Sequence, residues 1–370
     1  MNNYFKYANY ENCISNLMSS IQKYYGIKPS HKTLEVADKI LSKKQYKNVI
    51  VMVFDGMGKS IIDKHLDGSS FIYKHQIDTM SSVIPCTTAA ATISYRSALN
   101  PIETGWLGWS LYMKDIDRNV DIFSSRDSQT REPIGFDCGE KYIPYTCVGE
   151  QIILQNPDHH YYELWPAFKP NGCKNLRVLY KQLKKLLKKD ENKFIYIYWD
   201  QPDHDIHDFG TTDKHVYKNL KKIDRFLSKV YKKSKDTVAF ISADHGLTDV
   251  VPILLHTYYE LLATLTRMPS MDARCTSFSV KKGCEKRFVK LFNSYFEGKF
   301  ILLSKKEALK LKVFGTGNPH EMADSILGDY IAFAIDKYYF SFSLDGNLFK
   351  GHHAGLTKEE MIVPLISFDN

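Results

Sequence analysis

The chain has 370 residues, 44% of them hydrophobic and 25% charged, which gives material for a large core and excludes wholesale disorder. A net charge of +8, carried mostly by lysine, favours an anionic partner in principle, but it comes with no nucleic-acid module and no apolar run of the roughly 18 residues that cross a membrane. Seven cysteines without C-x-x-C spacing, and no secretory h-region near the start, read as reduced packing thiols and set the expectation of a cytoplasmic protein.

Residues 1–45 read as a polar, helical N-terminal cover. NVIVMVF (48–54) is a β-branched run ending in Asp-Gly, the pattern of a buried strand. SSVI (81–84) reads as a second strand stopped by Pro85, and TTAAATISYRSAL (87–99) as a helix opened by a threonine cap. KQLKKLLKK (181–189) is the densest basic stretch. Leucines at 176, 179, 183 and 186 put one apolar stripe on it, with the lysines on the wet face. NKFIYIYW (192–199) is a third strand. A helix over 213–233 follows, with apolar positions at 216, 220, 223, 226, 227 and 230. TVAFIS (237–242) is a fourth strand. MIVPLIS (361–367) is a last strand, whose Pro364 predicts a sheet edge or irregular pairing.

Alternating strands and helices predict an α/β fold, a three-layer sandwich with a mostly parallel central sheet flanked by helices. Residues 46–255 and 351–370 read as the core. Residues 256–350 read as its continuation carrying an inserted cap.

Three of these strands run into acid. The first is followed by Asp55, the third by DQPDHDIHDFG (200–210), and the fourth by Asp244 and His245. Sites of open α/β sheets form outside the carboxyl ends of the strands, so these acids should converge. GHHAGL (351–356) adds His352 and His353. Each piece alone is weak: VFDGMG reads equally as an Asp-Gly turn or an incomplete nucleotide loop, and Asp203 with His207 is a common i,i+4 pair. Jointly, Asp and His at strand ends suit a borderline metal such as zinc.

The stretches VIVMVFDGMG, SVIPCTTAAATISYRSALNPIETGWLGW, WDQPDHDIHDFG, ISADHG and GHHAGLTKEEMIVPL occur in one order across residues 49–365. In that order the chain resembles the alkaline phosphatase superfamily, in its branch of nucleotide pyrophosphatases and phosphodiesterases. The resemblance implies two divalent ions, zinc first and manganese as the other candidate. Asp55, Asp244 and His245 would hold one; Asp203, His207 and His353 the other, with His204 and His352 as the alternatives. It implies a threonine nucleophile, Thr88 by counting back from the turn after the helix, with Thr87 as the alternative. A helix N-terminus there suits an anion on physical grounds. Two such ions lie about 3.5–4 Å apart. The implied chemistry is in-line attack, a phospho-threonine, and its hydrolysis by water.

The chain departs from that pattern at Trp109, which stands where the branch commonly has a phosphate-binding Asn. An indole offers one N–H donor. Arg96, Arg126 and Arg274 are the conceivable substitutes, and Trp109 itself is a candidate substrate contact. The leading reading is a phosphodiesterase or nucleotide pyrophosphatase acting on a phosphate-containing small molecule, a nucleotide among the candidates. Phosphomonoesterase and phosphonate hydrolase or mutase activity fit the same frame. A sulfatase does not, because Cys86-Thr87-Thr88 lacks the C-x-P-x-R pattern. A non-catalytic phosphate-ligand binder on a degenerate hydrolase fold would be free to lose some of the six ligand positions, and all are filled.

Overall fold

The computed structural model describes residues 5–342 and 348–370. Residues 1–4 of the expected N-terminal cover and 343–347 of the expected insert lie outside the described residues. The main sheet contains β1 (Asn48–Phe54), β2 (Gln76–Ser81), β3 (His160–Leu164), β4 (Lys193–Trp199), β5 (Thr237–Ser242) and β6 (Ile362–Asp369). Their spatial order is β2–β6–β5–β1–β4–β3. β1 pairs in parallel with β4 and β5, and β3 with β4; only β6 is inverted, between β5 and β2. Every residue of β1, β4 and β5 is buried. That is why these strands read as unbroken apolar runs rather than as alternation.

Helices flank the sheet: α1 (Ile14–Tyr24), α2 (Glu35–Leu41), α3 (Thr88–Ser97), α4 (Leu176–Leu187), α5 (Asp203–Phe209) and α6 (Lys214–Tyr231). α6 buries all six apolar positions of its expected stripe. α4 buries Leu179 and Leu183, and its lysines face outward.

Three expectations are corrected. The N-terminal segment is no polar cover. Ile14, Leu17, Met18 and Ile21 are fully buried in the main core, and α1 packs on α3. Its polar residues are buried too, and they are hydrogen-bonded: Ser15 Oγ to Asn100 Oδ1 (2.9 Å), Asn16 Nδ2 to the Lys32 carbonyl (2.8 Å) and Gln22 Nε2 to Gln151 Oε1 (2.8 Å). Composition reports polarity, not whether a partner waits for it.

The strand expected at 81–84 is instead β2, ending at Ser81. Val83 and Ile84 are apolar because they are buried, without pairing. β6 is internal rather than an edge, and of the two consequences expected of Pro364 irregular pairing is the one that occurs. Pro364 faces Thr79 of β2, a register shift follows at Leu365/Ile366, and pairing with β5 begins only at Ile366.

A second sheet has the order Phe300–Ser304, Tyr330–Ala334, Cys275–Phe278, Ser270–Met271, Ser110–Met113, Arg118–Asp121, Arg126–Asp127. It joins strands of the expected insert to strands from 110–127, so this layer is not drawn from 256–350 alone. Arg274 ties it to the main sheet. Its Nε and Nη2 donate to Glu360 Oε1 and Oε2, each at 2.7 Å, and its Nη1 donates to the carbonyls of Asp336 (3.0 Å) and Tyr338 (2.6 Å). Glu360 also accepts from the Gly355 and Thr357 amides. Both side chains are fully buried, so removing one leaves the other charged without a partner. Glu360→Gln or Arg274→Ala should therefore lower stability by about 3–5 kcal/mol, read from urea unfolding midpoints at unchanged slope.

Candidate active site

The acids sit where the sheet places them. Asp55 directly follows β1, Asp244 lies two residues beyond β5, and Asp203 opens α5 after β4. The Asp203 amide donates to the Asp55 carbonyl (3.0 Å). The approach is close because Cβ atoms are missing. A Cβ on Gly56, whose φ is +71°, would lie 2.8 Å from Asp203 Cα, and one on Gly58 would lie 2.4 Å from Gly246 Cα. The glycines of DGMG and DHG thus let strand ends meet. They do not form a nucleotide loop.

His245 is at the centre. Its Nε2 lies 3.4 Å from Asp55 Oδ1, 3.6 Å from Asp244 Oδ2 and 3.2 Å from Thr88 Oγ1. Its Nδ1 donates to the Gly246 carbonyl (3.1 Å), which leaves the Nε2 lone pair facing the acids. His207 is arranged likewise: Nδ1 donates to the Gly351 carbonyl (2.8 Å), and Nε2 lies 3.3 Å from Asp203 Oδ2. His353 Nε2 is 3.9 Å from Asp203 Oδ1, and its ring stacks on His245 with centroids 3.8 Å apart. The residues form two sets of mutually close ligand atoms, Asp55–Asp244–His245 and Asp203–His245–His353. His245 is common to both, and His207 joins the second through Asp203.

Electrostatics make the cluster unstable by itself. Burial, then the charges of Asp203 and Asp244, push the Asp55 carboxyl well above its usual range, while Tyr198 Oη donates to its Oδ2. Burial is the largest influence on Asp203 and works to raise it, but the imidazoles of His207, His245 and His204 together hold the carboxyl low. Burial and the neighbouring imidazoles keep His353 and His352 well below the ordinary histidine value, hence neutral. Four buried atoms of the cluster lack any hydrogen-bond partner: Asp55 Oδ1, Asp203 Oδ1, Asp244 Oδ2 and His353 Nδ1. Orphaned carboxylate oxygens are costly. This is a donor set that could hold a cation.

Of the alternatives, His204 is 74% exposed and beside Asp208. His352 Nδ1 accepts from the His353 amide, and its ring packs against His207 with centroids 5.0 Å apart, but it belongs to neither set of mutually close ligand atoms. Thr88 Oγ1 faces His245 at the first turn of α3, whereas Thr87 Oγ1 turns away to donate to Asp272 Oδ1 (3.2 Å). Arg96 is engaged with Glu163 and Tyr145, Arg126 with the Arg131 carbonyl and Arg274 with Glu360. None of the three reaches the cluster. Trp109 is 41% exposed and packs edge-on against Phe123.

A family model described as type I phosphodiesterase / nucleotide pyrophosphatase matches residues 49–353. The chain belongs to that family. Its members are metal-dependent phosphoric ester hydrolases, and this chain is one. The two Asp/His sets are groups that could hold the divalent metals the family uses. Comparison with curated proteins finds no match. Solved structures share the fold at low identity. Murine ectonucleotide pyrophosphatase/phosphodiesterase 5, an inactive threonine-to-alanine variant in complex with AMP, superposes with TM-score 0.67 at 13% identity, covering 87% of each chain. The human protein of the same name gives 0.65 at 15%, covering 86% of this chain and 87% of that one. Phosphonoacetate hydrolase from Sinorhizobium meliloti 1021, in complex with phosphonoformate, gives 0.64 at 12%, covering 87% and 90%.

Sequence reasoning missed two residues. Tyr198 lies inside an apolar strand. Asp272 lies in SMDAR, with no periodic or motif context. Asp272 accepts from Thr87 Oγ1 and, through Oδ2, from the Trp109 amide (3.1 Å), so it joins the threonine turn to the mouth aromatic. Burial pushes its carboxyl up to about 7, against the Trp109 amide and Thr87, which lower it. The unfolded value is about 4, so the native state binds the proton more tightly. Its ionisation therefore removes stability as pH rises from about 4 to about 7, with no further loss above. An asparagine mimics the protonated acid. The stability advantage of Asp272→Asn over the parent should be absent near pH 4, grow through that window and then level off, measured by thermal unfolding across pH.

Proposed function

We propose that the protein hydrolyses a phosphodiester or phosphoanhydride bond of a phosphate-containing small molecule through Thr88. Asp55, Asp244 and His245 would hold one divalent ion, and Asp203, His207 and His353 the other, zinc first and manganese second. The observation that carries this reading is the position of Thr88 Oγ1, 3.2 Å from His245 Nε2 and on the first turn of α3. Bound ions would supply the positive charge against which a phosphoryl group and a threonine oxygen can approach three carboxylates.

The protein's own groups do the rest. Thr88 attacks phosphorus in line, the leaving oxygen departs on the opposite side, and water later cleaves the phospho-threonine. The first amides of α3 have no intrahelical acceptor and point at an anion there. Trp109 and Phe123 form an exposed aromatic shelf suited to a planar substrate group. The second sheet is the specificity layer in this reading. Seven unpaired cysteines support residence in a reducing compartment, the cytoplasm.

Trp109 favours a second reading, phosphomonoester or phosphonate hydrolysis, because it removes a side-chain amide from the phosphate site. The two separate in one assay. Protein loaded with zinc or manganese should hydrolyse a nitrophenyl phosphodiester, and Thr88→Ala should lower the rate by about a thousandfold or more. Diester turnover surviving in that variant would refute the nucleophile; turnover of the monoester alone would favour the second reading.

Metal content gives an independent check. Two ions per chain are expected by elemental analysis. Adding metal at about 100 times its Kd should raise stability by about 2.7 kcal/mol per site, and Asp203→Ala and Asp244→Ala should each abolish part of that gain.

A further inference from the structure

Beside this site, and containing none of its six proposed ligands, lies a cleft of ≈ 960 Å³. That volume matches small-molecule pockets. It is bounded by the loop leading into α4 and that helix's first turn, by Trp199–Gln201 at the end of β4, and by one side of α6. Trp199 and Phe226 are the buried part of its wall, and Phe168 stands 60% exposed beside them.

The charge of the lining is one-sided. Lys174, Arg177, Lys222, Arg225 and Lys229 line the cleft, against the single acid Asp200. Among the described residues none of the five makes a salt bridge within 4.0 Å. Lys222, Arg225 and Lys229 are three and four residues apart, so α6 presents them on one face. The bland reading, a solvated lysine face, holds for the run at 181–189, which does not line the cleft. It is insufficient here: although all five residues are exposed, Lys174 and Arg177 at the start of α4 and three cations of α6 converge on one concave wall, where their fields add.

The cleft is also wired to the candidate active site. Asn219 Nδ2 donates to Gln201 Oε1 (3.1 Å) and to Asp205 Oδ2 (2.6 Å), and Asp205 belongs to α5, the helix that carries Asp203 and His207. Lys222 Nζ donates to Asn219 Oδ1 (3.1 Å).

We propose that this cleft is a second anion site that binds a small, multiply charged, phosphate-bearing ligand. Several unpaired cations call for several negative charges in one molecule, and the guanidinium forks of Arg177 and Arg225 match phosphate oxygens. The cleft is half-open and local, which suits a small molecule over a nucleic acid, whose backbone needs an extended basic track.

The test uses full-length protein stripped of metal. The carboxylate cluster then repels anions, so binding in the cleft is read apart from the hydrolytic reading. Inorganic tripolyphosphate should bind one per chain by titration calorimetry, quench the fluorescence of Trp199 and weaken as salt is raised. Lys222→Glu/Arg225→Glu should weaken it at least tenfold. Lys184→Glu/Lys185→Glu, on the outer face of α4, should leave it within twofold, and so should Asp203→Ala. All four positions changed from lysine or arginine are exposed, and circular dichroism checks that the variants fold. Absence of saturable binding, equal loss in the two charge-reversal variants, or equally tight binding of citrate would overturn the proposal. Ester turnover by the metal-loaded Lys222→Glu/Arg225→Glu variant is expected to match the parent, so loss of hydrolysis and loss of anion binding are separate results.

Discussion

Asp55, Asp203 and Asp244 hold three carboxylates at the ends of three adjacent buried strands, and their mutual repulsion is what the surroundings are arranged to withstand. At about 4 Å and an effective dielectric constant near 20, one such pair repels by about 4 kcal/mol. The protein offsets this only in part. Asp244 Oδ1 accepts from the Gly56 and His245 amides, Tyr198 donates to Asp55 and His207 lies against Asp203, while the Nε2 lone pair of His245 gives the remaining oxygens no donor. Glycine at 56, 58 and 246 is the geometric condition for this crowding. A side chain at 56 would press on Asp203, one at 58 on the backbone of Gly246, and one at 246 on the Glu359 carbonyl. No arginine pairs with these acids: Arg96 is spent on Glu163 and Arg274 on Glu360. A resident guanidinium would occupy the place that the unpaired oxygens leave for a mobile cation.

The second sheet meets this centre at two points of different character. Arg274 and Glu360 form a closed, fully satisfied ion pair that fixes the layers to each other. Asp272 is a titratable contact, holding the turn before Thr88 to the backbone of Trp109. The threonine turn and the backbone of Trp109 are therefore held by the same carboxyl group, which lies just beyond the strand Ser270–Met271.

The parts of the molecule that were legible in the sequence are those where burial and chemistry coincide in one local run. β1, β4 and β5 could be read because both of their faces are covered, and the acids that follow them could be read because a parallel sheet brings its strand ends together. α6 announced all six of its buried positions by period. What failed was non-local. Ser15, Asn16 and Gln22 look like surface residues until Asn100, Lys32 and Gln151 are seen to receive them. Pro364 left a sheet edge and irregular pairing both open, and only the way two different neighbours share one strand decides for the irregular pairing. The cationic cleft was invisible because its residues, at 174, 177, 222, 225 and 229, never form a run, whereas the conspicuous lysines at 181–189 point into solvent. Asp272 is one acid among many until its partners at 87 and 109 are in place.

The composition of the second sheet bears on how such an enzyme can be rebuilt. Its strands come from both 110–127 and 270–334, hydrogen-bonded to each other between Ser110 and Met271. A graft of the later segment alone from a relative would arrive with a foreign edge and no register for the donor's residues at 110–113. New substrate scope by chimera therefore calls for exchanging both stretches as one module. The exchange would also have to keep the apolar seam in which Leu111, Met271, Cys275 and Phe333 pack with Ile84, Cys86, Ala89 and Ile93 around the start of α3.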